Sequence, residues 1–67
     1  MPLTWRDTDA LARALVANHP DIDPLTLTLQ DVRRFIVRLP GFNDDSDAAS
    51  DQDIEEVQAA WYDVFQE

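Results

Sequence analysis

Gly41–Glu56 reads GFNDDSDAASDQDIEE, and the way it is read decides the fold. It opens on the only glycine of the chain, just after Pro40, and Pro-Gly is a stop for whatever helix precedes it. Seven carboxylates follow with no basic residue among them: Asp44, Asp45, Asp47, Asp51, Asp53, Glu55 and Glu56. Ser50 followed by Asp53 is a capping-box arrangement with Asp in the place of Glu. Ile54, Val57, Trp61, Val64 and Phe65 then recur at helical spacing. The stretch is therefore read as a polar loop running into a helix from about Asp51 to Gln66. Like charges held this close repel, so the segment points to a basic partner surface, to a hard cation, or to a loop that is simply solvated.

Upstream, Thr28 and Asp31 repeat the capping pattern, and Val32, Phe35, Ile36 and Leu39 form one apolar stripe. They predict a helix from about Leu29 to Arg38. A first helix is predicted from about Thr8 to Asn18, with Asp7 as N-cap, Asp9 in the first turn, and Leu11, Ala14, Leu15 and Asn18 on one face. His19-Pro20 ends it. Leu3 and Trp5 alternate with Thr4, and Leu25–Leu29 reads LTLTL, so the two segments are expected to pair as a minimal two-stranded ribbon. The expected fold is mainly α: one domain over residues 1–67, three helices around a core led by Trp5, Phe35 and Trp61.

Composition narrows the function. The chain has 67 residues, a net charge of −9 and no cysteine. Thiolate metal sites, persulfide carriage, nucleophilic thiols and disulfides are excluded. Its five cations are all arginine, so Schiff-base chemistry is excluded too. A nucleic-acid partner needs a basic footprint and an anionic membrane a basic segment; neither is expected here. With no signal-peptide pattern and no long apolar run, a cytoplasmic protein is expected.

Paired carboxylates can hydrolyse glycosides, but only in a deep cleft with separated pKa values, and a chain this short has little volume for one. No phosphate-binding glycine loop is present. Counted from Asp45, an EF-hand loop would need a ligand at Ala49 and a glycine at Ser50, and has neither. A looser cation site of Asp44, Asp45 and Asp47 remains, suited to Mg²⁺ or Fe²⁺. His19 is read as a partner of the helix dipole. Arg33, Arg34 and Arg38 are read as surface charges that offset part of the acid load, with docking of an acidic partner as their other reading.

The ordered set of residues also resembles a known family. Leu3-x-Trp5-x-Asp7, His19-Pro20-Asp21-Ile22-Asp23-Pro24, Asp31, Phe35-Ile36, Phe42-x-Asp44-Asp45 and Trp61-x-Asp63 follow, without a gap, the pattern of the IscX family, the small acidic proteins of bacterial iron–sulfur cluster assembly. The chain departs from that pattern at Phe35, where the family usually has Trp; at Ser46, where Pro is common; and at His19, where Tyr is familiar.

The resemblance implies a winged-helix-like fold and a non-enzymatic adaptor or regulator. Such a protein binds the cysteine desulfurase through acidic surface, competes with frataxin, needs no cofactor and binds iron weakly. A monomer is expected. The docking residues expected are Asp21, Asp23, Asp44, Asp45 and Glu55. The alternative is a metal-handling protein, an iron donor or cation sensor with carboxylate ligands. On the docking reading, neutralising Asp44 and Asp45 is expected to leave the fold intact, and Arg33→Ala is expected to serve as a neutral control.

Overall fold

A computed structural model describes residues 2–67. Three helices account for most of it: α1 Thr8–Asn18, α2 Leu29–Val37 and α3 Asp51–Phe65. A one-turn 3-10 segment, Pro24–Thr26, lies between α1 and α2. The protein is thus small and mainly α, as the periodicity requires.

Local chemistry fixes where the helices begin. At α2 the Thr28 side chain accepts from the Asp31 N–H, and the Asp31 carboxylate accepts from the Thr28 N–H. Ser50 and Asp53 make the same reciprocal pair at α3. Each box satisfies two of the orphan donors that a helix start leaves, and a cap of this kind stabilises by about 1 kcal/mol. Asp7 occupies the N-cap position of α1 but does not cap it. Its carboxylate turns back to accept from the Thr4 N–H and hydroxyl, closing a turn ahead of the helix.

The expected ribbon is corrected. Leu3 pairs with Phe42, not with Leu25–Leu29, in one isolated parallel bridge. Alternation in LTLTL loses to turn and cap chemistry. Pro24 stands at the first position of the 3-10 turn, and Asp23 caps that turn by accepting from the Leu25 N–H. The Thr26 hydroxyl bonds the Asp23 carbonyl, and Thr28 opens α2 so that Leu29 is already helical. The described residues hold no β-hairpin, so a winged-helix likeness would rest on the helices alone.

Trp61, Leu11, Leu15, Ile36, Ile54, Val32 and Val57 are fully buried, with Trp5, Leu39, Ala12 and Ala49 completing the core. α1 and α3 make the most extensive contact. Ala12, and not Ala14, is the buried alanine of α1, and Asn18 is exposed, its amide bonding the Ala14 carbonyl. Phe35 is only partly buried and packs at the rim of the core, edge-on to Trp61 with ring centroids 5.9 Å apart.

Trp61 is 0% exposed, and its buried indole N–H has no hydrogen-bond partner among the described residues. Two effects then separate. Trp61→Ala empties a large aromatic site and is expected to cost about 3–5 kcal/mol. Trp61→Phe also removes an unsatisfied donor, whose burial costs about 1–3 kcal/mol, so its net loss is expected to be about 1 kcal/mol or less. Urea melts of the two variants check this; a Trp61→Phe loss well above about 1 kcal/mol would show that the indole N–H is satisfied.

Candidate functional site

The first part of the acidic loop is held by uncharged donors. Gly41 has φ +85°, a left-handed value that glycine adopts without strain, and it turns the chain back along the N-terminal segment. The Leu3 N–H donates to the Gly41 carbonyl at 2.7 Å, and the Asn43 N–H donates to the Leu3 carbonyl at 2.8 Å. Trp5 continues the clasp. Its backbone N–H donates to Asp44 Oδ2 at 3.2 Å, and its indole N–H donates to the Asp45 carbonyl at 2.7 Å. Trp5 and Phe42 meet edge-on at 5.1 Å.

Beyond the clasp the loop bonds to itself. The Asp45 N–H donates to Asp44 Oδ1, and the Asp47 N–H donates to Asp45 Oδ1. Asp44 therefore has both carboxylate oxygens on backbone donors. The view of Asp44 as a residue that can be neutralised without touching the fold is corrected, because removing its charge weakens the tie between the N-terminal segment and the loop.

Arg33 is the second correction. It is a fastener of the loop. Its guanidinium donates to the Ser46 carbonyl and, at 3.4 Å, to the Ala49 carbonyl, and it lies 3.9 Å from the Asp47 carboxylate. The Asp47 contact adds little, because that side chain is 93% exposed. Arg33 is thus no neutral control for any property of the loop; exposed Arg13 on α1 is better suited.

The remaining docking candidates lie elsewhere. Asp21 is exposed just before the 3-10 turn, and Asp23 caps that turn. Gln58 of α3 pins the segment by donating its amide to the carbonyls of Pro24 and Leu27. Glu55 is exposed one helical turn before Gln58, on the same side of α3. Asp21, Asp23 and Glu55 therefore flank one seam, between α3 and the 3-10 turn, while Asp44, Asp45 and Asp47 sit at the N-terminal clasp.

Leu25, at the 3-10 turn, is the large hydrophobic residue left exposed among the described residues. Sequence reasoning missed it because the strand reading put all three leucines of LTLTL on one inward face. No group of three His, Cys, Asp or Glu residues among the described ones is placed to hold a metal ion, so Asp44, Asp45 and Asp47 form no cage. His19 caps the C-terminus of α1 through its backbone and packs edge-on against Phe35 at 4.8 Å. Two of the three departures from the family pattern are thus in contact.

Fold and surface together define a small acidic helical module in which, among the described residues, no charged side chain is buried. The chain belongs to the iron–sulphur cluster assembly family, the IscX family, whose model matches residues 3–66. It is also similar to an uncharacterized protein of Pseudomonas aeruginosa, 38% identical over 61 residues that cover 91% of this chain and 92% of the other. The family assigns the chain a role in iron–sulfur cluster assembly. No helix of the described residues is long and apolar enough to cross a membrane.

The geometry makes Asp44 and Arg33 separable. Asp44→Asn is expected to lower stability by about 1 kcal/mol, through a weaker acceptor for the Trp5 N–H. Arg33→Ala is expected to leave the melt within about 1 kcal/mol of the parent and to speed hydrogen exchange within Ser46–Ser50. Unchanged exchange there would show that Arg33 does not fasten the loop.

Proposed function

We propose that the protein is a non-enzymatic adaptor that regulates iron–sulfur cluster assembly by docking on a basic surface of the cysteine desulfurase. One observation carries this reading. The chain has fourteen carboxylates, and among the described residues no charged one is buried and a single ion pair occurs. The negative charge therefore faces outward and uncompensated, which steers encounter with positive surfaces. Family membership supplies the process; charge supplies the kind of partner.

Asp21, Asp23 and Glu55 along the seam are the favoured docking face, with Leu25 offering an apolar contact at its edge. Asp44 and Asp45 contribute charge from the clasp, but part of their hydrogen-bonding capacity is already in use. Competition with frataxin for the same basic surface and a cytoplasmic setting belong to this reading. Weak iron binding is a secondary property: Asp44, Asp45 and Asp47 can attract Fe²⁺ without enclosing it. The metal-handling alternative asks for converging ligands, and no observation favours it.

The test is association kinetics with the cognate desulfurase across a salt series. Raising salt is expected to slow association more than it speeds dissociation, since exposed charges are screened beyond about 8 Å at physiological ionic strength. Asp21→Asn with Glu55→Gln is expected to lower the association rate several-fold with the melt unchanged. Arg13→Ala should leave binding unchanged or slightly tighter. Parent-like binding of the double variant at every salt concentration would remove the seam as the docking face.

Cations offer a separate check. Fe²⁺ or Mg²⁺ is expected to shift the amide signals of Asp44, Asp45 and Asp47 weakly, without a sharp stoichiometry. A single tight, saturating site would favour the metal-handling reading instead.

A further inference from the structure

The acidic chain contains a cationic island. Residues 32–43 hold Arg33, Arg34 and Arg38 and no carboxylate. Arg33 is engaged by the loop. Arg34 and Arg38 are exposed and enter no ion pair among the described residues. They stand one helical turn apart at the end of α2, with Phe35 beside them. On one side of Phe35, a groove of about 290 Å³ is lined by Asn18, His19, Phe35, Arg38, Leu39 and Pro40. On the other, Asp31, Arg34, Phe35 and Arg38 line a second depression. The two share Phe35 and Arg38, so an apolar surface adjoins the guanidinium groups of Arg34 and Arg38. Asp31, the nearby carboxylate, accepts the Thr28 N–H in its capping box.

We propose that this trough binds a short acidic segment of a partner protein, one that also carries an apolar side chain. The apolar group would lie on Phe35, Leu39 and Pro40. Its carboxylates would meet Arg34 and Arg38, whose planar forks suit carboxylate oxygens. Compensation of the helix dipole accounts for cations in the last turn of α2, but it requires neither an aromatic floor nor an imidazole from α1 across the groove.

The overall charge of −9 narrows the occupant. It repels a nucleic acid, and it repels a second copy of this chain. A segment that is acidic only locally, on a partner that is not acidic overall, meets neither obstacle. None of the residues proposed to meet the desulfurase takes part, so the trough gives the adaptor a second, oppositely charged face that stands or falls independently of the first.

The test is an amide-shift titration with a short synthetic peptide of glutamate and leucine. Shifts are expected at His19, Phe35, Arg38 and Leu39, fading as salt is raised. Arg34→Gln with Arg38→Gln should weaken binding about tenfold or more, and the glutamine counterpart of the peptide should fail to bind the parent. Shifts that are absent or scattered, or equal binding by the double variant or by the glutamine peptide, would overturn the proposal. So would the same shifts produced by inorganic phosphate alone, which would mark a simple anion site, or by concentrating the free chain, which would mark a second copy as the occupant.

Discussion

Repulsion among like charges is the constraint that the rest of this structure answers. Asp44, Asp45 and Asp47 lie within four positions of one another, and the loop that carries them must still close over the core at Ala49. Cations could hold it, but they would cancel the field. The carboxylates themselves are held by neutral donors instead: the backbone N–H of Trp5 and the N–H groups of the loop itself. Such dipoles stabilise ionised oxygens without changing the net charge. Even Arg33, the one cation involved, donates to carbonyls and lies at the limit of contact with Asp47. The loop is thereby ordered, and its charge is left for long-range attraction.

The three helices were legible in the sequence because their boundaries are set locally. Thr28 with Asp31, Ser50 with Asp53, and the breaks at His19-Pro20 and Pro40-Gly41 act over three or four residues, and each behaves in the fold as its chemistry dictates. The clasp was not legible. Trp5 meets Asp44 and Asp45 across 39 and 40 positions, and no periodicity records such a meeting. The same holds for Gln58, which takes the carbonyls of Pro24 and Leu27 and so settles the course of a segment whose alternation suggested a strand. Asp7 stands at the N-cap as read, but its side chain is used elsewhere. Thr4 offers its carboxylate two donors, the backbone N–H and the hydroxyl, and these compete with the helix for it.

The kind of acid in this chain carries a further argument. Eleven of its carboxylates are aspartates and three are glutamates. A surface built only for negative charge could use either, and helices favour glutamate. The excess of aspartate follows from reach, because a short carboxylate can accept from backbone N–H groups within a few residues of itself. Among the described residues Asp7, Asp23, Asp31, Asp44, Asp45 and Asp53 all do so, and no glutamate does. Much of the acidity is therefore architectural: it caps helices and closes turns in a chain too short to rely on a large core. These groups still add to the field, but replacing them disturbs structure and charge together. Asp21 and Glu55 carry no such bond and stand exposed along one seam, so at those two positions loss of charge and loss of fold can be told apart.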